Sequence, residues 1–152
     1  HRLPPSHPFP AARGYAFNVY RELIADPRPV FIAGDSAGGN LTLVTLLRAR
    51  DQLLKMPACA LAISPASDAR GTLMSRQANS DSDTMLSHGM IEVATDIYLA
   101  GADPAHPYAS PITADVTGLP PPLFPGRLGA GRGGSFDRAV VWVPAMGGSL
   151  AA

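Results

Sequence analysis

Val30-Phe31-Ile32-Ala33-Gly34-Asp35-Ser36-Ala37-Gly38-Gly39-Asn40-Leu41 is the stretch on which the reading of this chain turns. Its first four residues are a short apolar, partly β-branched run behind the turn Asp26-Pro27-Arg28-Pro29, the pattern of a strand buried on both faces. Over residues 38–50 the pattern becomes helical. Leu41, Leu43, Val44, Leu46 and Leu47 occupy most of the circumference, which predicts a widely covered helix with Arg48, Arg50 and Asp51 meeting water. Between strand and helix stands Gly34-Asp35-Ser36-Ala37-Gly38, a Gly-x-Ser-x-Gly turn. A serine hydroxyl is a poor nucleophile until a base takes its proton, and the attacked carbonyl needs donors for its growing negative charge. A strained turn between strand and helix lifts the serine out, and glycines on either side let neighbouring backbone come close. Ser36 is therefore the candidate nucleophile. Ala37 offers its N–H at the helix N-terminus as an oxyanion donor, and Gly34, Asp35, Gly38 and Gly39 support the elbow.

The bland alternative is an ordinary strand-to-helix turn. The bare pattern is weak in a chain with this much glycine and serine, but a buried strand before it and an apolar helix after it are the context the motif demands. A phosphate-binding loop is the other competitor, since glycines before a helix also favour anions. It fails because Gly38-Gly39 leads into Asn40-Leu41 rather than Lys followed by Ser or Thr, and no Gly-x-Gly-x-x-Gly occurs at this turn.

Working outward, prolines at 4, 5, 8 and 10 predict an extended loop over residues 1–11. Residues 12–25 predict a helix whose apolar face carries Tyr15, Val19 and Leu23 with Ala16, Tyr20 and Ile24 alongside. A second buried strand is expected over 58–63, ended by Ser64-Pro65, and helix, strand, helix, strand in this rhythm argues for parallel βαβ units. Residues 66–87 are polar and predict a loop or irregular cap. Residues 88–100 regain a helical pattern, with Gly101 placed as C-cap, and 103–122 predict a surface loop. The fold class is α/β: a mainly parallel sheet with helices on both faces.

Twelve Lys plus Arg balance twelve Asp plus Glu, so no basic stripe invites nucleic acid. No stretch approaches the roughly 18 apolar residues of a membrane span, which makes cytoplasmic the expected location. The single Cys59 lies in an apolar run and reads as a buried free thiol. The chain starts at His1 inside a Pro-rich segment, the mark of a fragment or a processed product.

Beyond the elbow, Gly34-Asp35-Ser36-Ala37-Gly38-Gly39-Asn40-Leu41 resembles the hormone-sensitive lipase family of bacterial esterases, within the α/β hydrolases. Arg2-Leu3 with His7-Pro8-Phe9-Pro10-Ala11-Ala12 is similar to that family's stretch ahead of the nucleophile strand, although Pro4 and Ser6 depart from it. Ser64-Pro65-Ala66-Ser67-Asp68 is similar to its turn after the next strand. Tyr98-Leu99-Ala100-Gly101 and Pro107-Tyr108-Ala109-Ser110-Pro111 are similar to its return from cap to core. The resemblance covers residues 2–124. It implies an incomplete α/β-hydrolase core over 1–124, with a cap segment at about 66–100. It also implies hydrolysis of small-molecule esters by a Ser, Asp or Glu, and His triad, with no metal and no cofactor.

Only part of that machinery is matched. The family's His-Gly-Gly-Gly oxyanion motif lies upstream of the His-Pro-Phe-Pro stretch, outside this chain, and His88-Gly89-Met90 is no substitute. None of His1, His7, His88 and His106 occupies the position of the family's base, and Asp137 lacks the flanks of its acid. After Phe124 the sequence changes character: residues 126–152 are rich in Gly, Arg and Ala, with 139–143 the only strand-like run. Eleven arginines against one lysine suggest GC-rich coding DNA, and a frameshift near Leu123 is the hypothesis for the change, to be tested by reading the neighbouring frame for a family-like strand and carboxylate. The expected function is serine ester hydrolysis, weak or absent in this chain. The alternatives are a non-catalytic remnant, self-associating through an exposed sheet edge, or another Gly-x-Ser-x-Gly enzyme such as a peptidase or acyltransferase.

Overall fold

The computed structural model describes residues 3–73, 80, 85–119, 122–123 and 140–142. In chain order the elements are helix α1 (Ala11–Leu23), strand β1 (Phe31–Asp35), helix α2 (Ala37–Asp51), strand β2 (Cys59–Ile63) and helix α3 (His88–Leu99). A 3-10 turn, Pro111–Thr113, and the short strands β3 (Pro122–Leu123) and β4 (Val140–Trp142) complete it. The expected helices and strands form within a residue or two of their sequence bounds. The middle of the polar segment and most of the Gly/Arg/Ala-rich tail, Asp137 included, lie outside the described residues.

β1 and β2 pair in parallel from Phe31 opposite Cys59 to Asp35 opposite Ile63, so β1, α2 and β2 make the expected βαβ unit. The sheet order is β1-β2-β4-β3, and β4, which lies beyond the resemblance, joins both β2 and β3 antiparallel. Leu43 and Leu46 of α2 pack on the small buried Ala60 and Ala62 of β2, with Ile32, Met56 and Leu119 around them. A second cluster, Phe17 and Tyr20 of α1 with Ala49 of α2, fastens the two helices together. Tyr20 donates its hydroxyl to the Lys55 carbonyl at 2.6 Å, and burial pushes this phenol up to about 12.

Packing corrects several expectations. The Tyr15, Val19 and Leu23 stripe of α1 is exposed, and the buried face is Ala12, Phe17 and Tyr20. The helix turns this face to α2 because Phe17 finds two partners there, Ala49 and the Arg48 guanidinium, 3.9 Å above its ring. Val19 and Leu23 instead line an open groove of about 240 Å³ with Ile32, Ala33, Leu41 and Thr45.

β1 is not buried on both faces: Phe31 is 68% exposed, and Ala33 and Asp35 also face outward. It is a terminal strand of the sheet among the described residues, and no described element covers that side. Cys59 is half-buried rather than buried, with no disulfide.

Arg48 and Arg50 are half-buried. Arg50 donates to the carbonyls of Asp115 and Thr117, drawing the segment after the 3-10 turn onto α2. The segment expected to run over the surface buries Ala109, Ser110 and Pro111. α3 is capped by Ser87, whose hydroxyl accepts from the Met90 N–H, and it ends with both Ala100 and Gly101 left-handed, one residue before the glycine expected to stop it. None of the described helices is long and apolar enough to cross a membrane.

Candidate active site

The elbow forms where the motif puts it. Ser36 follows the last residue of β1, precedes the first residue of α2, and is exposed with φ 52° and ψ −113°. An L-residue reaches this conformation at a cost of about 1–3 kcal/mol, so surrounding structure must hold it there. Three backbone hydrogen bonds do so. The Ser36 N–H donates to the Ile63 carbonyl at 3.0 Å, and the Ser36 carbonyl accepts from the N–H groups of Ala66 at 3.0 Å and Asn40 at 3.1 Å.

The glycines differ in what they permit. A Cβ on Gly34 would lie 2.1 Å from the Gly38 carbonyl oxygen, so the crossing of strand and helix leaves no room for any side chain. A Cβ on Gly39 would come within 2.9 Å of Pro65, in the turn after β2. A Cβ on Gly38 would meet open space, so what the fold needs at Gly38 is the approach of its backbone to Gly34. Ala37 begins α2, where an N–H lies beyond the reach of the helix's own carbonyls and is free to face a ligand at the positive end of the dipole.

The turn behind the elbow is held by buried polar groups that sequence reasoning did not single out. The Asn40 carboxamide, 7% exposed, donates to the carbonyls of Ala66 at 2.8 Å and Ala109 at 3.1 Å. Its sequence signals were an amide early in a largely apolar helix and its place in the motif that carries the resemblance. Ser110 accepts from the Ala69 N–H at 2.8 Å and donates to the Pro104 carbonyl at 2.7 Å. Asp68, quoted above only as part of a motif, is fully buried. One of its oxygens takes the backbone and side-chain N–H groups of Arg70, and the other those of Thr72, backbone N–H and hydroxyl. Burial alone would raise its carboxyl, but the bonds from Arg70 and Thr72 together with the Arg70 charge outweigh this and hold it below the usual carboxylate range.

The histidines are engaged elsewhere. His106 accepts the Tyr108 N–H on Nδ1 at 3.0 Å and packs edge-on against Phe9. His88 lies at the start of α3 with Nε2 3.2 Å from Glu92 Oε1. His7 is exposed in the N-terminal loop, and His1 lies outside the described residues. The Ser36 hydroxyl has no hydrogen-bond partner among the described residues. Among the same residues, no group of three or more His, Cys, Asp or Glu side chains could hold a metal ion.

A buried helix, a strained serine on a strand-to-helix turn and a parallel strand pair define the class: the chain belongs to the alpha/beta hydrolase fold family, whose model matches residues 1–125. Its solved neighbours place it in the hormone-sensitive lipase branch. The chain is 47% identical to the crystallised esterase EstE5, with a TM-score of 0.74 over 80% of this chain and 42% of that one. An esterase of the bacterial hormone-sensitive lipase family is 36% identical, with a TM-score of 0.74 over 79% of this chain and 41% of that one. In sequence it is 40% identical over 127 residues to an acetyl-hydrolase of Streptomyces hygroscopicus, matching 82% of this chain and 42% of that protein. The chain thus spans about two fifths of the length of these relatives.

Proposed function

We propose that this chain carries the nucleophile of a carboxylic ester hydrolase. Ser36 attacks the carbonyl carbon of a small-molecule ester, its proton leaves to a base, and the alcohol departs. Water then cleaves the acyl-enzyme and regenerates the hydroxyl. The Ala37 N–H is one donor to the tetrahedral oxyanion. The observation that carries this reading is the left-handed, solvent-facing Ser36 at the junction of β1 and α2, a conformation a plain turn has no reason to hold. The esterase and acetyl-hydrolase relatives support the reaction class.

Turnover by the chain itself is slow under this proposal, because no base meets the Ser36 hydroxyl among the described residues. Loss of one oxyanion donor alone costs about 10² to 10³ in rate, and a triad without its base leaves only residual catalysis. The test is labelling by a fluorophosphonate probe, together with hydrolysis of a p-nitrophenyl ester, beside Ser36→Ala. Slow labelling confined to Ser36 is expected, since no base activates the hydroxyl, with hydrolysis close to background. Equal labelling of the Ser36→Ala protein would end the nucleophile assignment, and brisk Ser36-dependent hydrolysis would end the claim of weak turnover.

A second reading, a non-catalytic remnant that acts by association, is favoured by the terminal position of β1 and by its outward Phe31. A cytoplasmic location belongs to both readings.

A further inference from the structure

We infer that Asn40 is a positioning residue for Ser36, an inference that rests on the nucleophile reading above. The strain at Ser36 is held by the turn after β2: Ile63 accepts its N–H and Ala66 donates to its carbonyl. That turn meets the helix with Pro65 against Gly39, where there is no side chain to grip. Its fastening is the Asn40 carboxamide. One residue, Ala66, receives Asn40 on its carbonyl while its N–H holds the carbonyl of Ser36. The second amide proton reaches the Ala109 carbonyl, in a segment 69 residues away, and so ties the turn to the next layer of the structure. The Asn40 backbone N–H closes the loop by donating to the same Ser36 carbonyl.

The carboxamide nitrogen carries two donors on one neutral atom and so serves both carbonyls. An aspartate of the same shape offers none, and turns negative charge on two carbonyl oxygens. Losing this fastening loosens the turn, lets Ser36 relax out of its left-handed conformation, and lowers the reactivity of its hydroxyl.

The decisive comparison is Asn40→Asp against Leu43→Ala, a core substitution on the same helix that does not touch the turn. The readouts are the fluorophosphonate labelling rate of Ser36 and hydrogen exchange at the Ser36 and Ala66 amides. Asn40→Asp is expected to slow labelling about tenfold or more and to lose protection selectively at those two amides. Leu43→Ala should lower the urea midpoint with labelling within about twofold of the parent, in keeping with an unmoved turn. Asn40→Ser, which keeps one donor, should fall between, and it takes the place of Asn40→Asp if that protein does not fold. Labelling by the Asn40 variants within twofold of the parent overturns the inference. So does a loss that follows global stability as in Leu43→Ala. If the parent itself does not label, the nucleophile reading fails on its own. Exchange at Ser36 and Ala66 still decides the role of Asn40, since selective loss supports it and uniform loss overturns it.

Discussion

Ser36 sits where an L-residue is uncomfortable, and what keeps it there is backbone from the end of β2, the turn after it and the first turn of α2. The glycines around it make this concrete, because two positions in one motif should respond in opposite ways. Gly34→Ala places a methyl 2.1 Å from a carbonyl oxygen of rigid backbone, and neither strand nor helix can move aside. We expect it to cost more than about 3 kcal/mol, or to prevent folding. Gly38→Ala meets open space inside a helix and should stabilise by about 0.5–1 kcal/mol. Urea midpoints of the two variants check both.

Asp68 makes a different residue-scale claim. Its carboxyl is held below the ordinary value in the folded chain, so the unfolded chain takes up the proton first. Its contribution is therefore complete above the unfolded pKa of about 4 and is lost as pH falls through the lower folded value. Asp68→Asn should cost about 1–3 kcal/mol at pH 7 and flatten the acid limb of stability against pH. An unchanged limb would show that the carboxylate contributes nothing.

Among the elements, α1 separates what periodicity can and cannot say. Its existence was legible, because apolar residues recur at helical spacing and Asp26-Pro27 ends them. The buried face was not legible, because Tyr15, Val19 and Leu23 make as regular a stripe as the residues that pack. The choice falls to whatever lies opposite, here Ala49 and the Arg48 guanidinium over Phe17. Phe17→Ala should accordingly cost about 3–5 kcal/mol. Val19→Lys, at a residue 42% exposed, should stay within about 0.5 kcal/mol of the parent. Thermal or urea unfolding of the pair decides between the two faces.

At the scale of the whole molecule, β1 is one terminal strand of the sheet that the described residues form. Phe31–Asp35 contains no lysine, arginine or proline to blunt that edge, and its only charge is at the last residue. Under the second reading proposed above, the chain self-associates through this strand. Sedimentation of the parent should show mass rising with concentration, and Phe31→Lys should shift the distribution to monomer. A parent that is monomeric throughout would remove the edge from consideration.

The sequence by itself determined the order of helix and strand, the site of the elbow and the family, because each depends on residues within a few positions of one another. The tertiary structure alone decided which face of α1 is buried, that Phe31 looks outward, and that Asn40 and Ser110 hold the turn behind Ser36. Those facts depend on groups brought together across long separations, as Asn40 meets Ala66 and Ala109 from 26 and 69 residues away, and no local pattern encodes which of several equally apolar or polar side chains will find its partner.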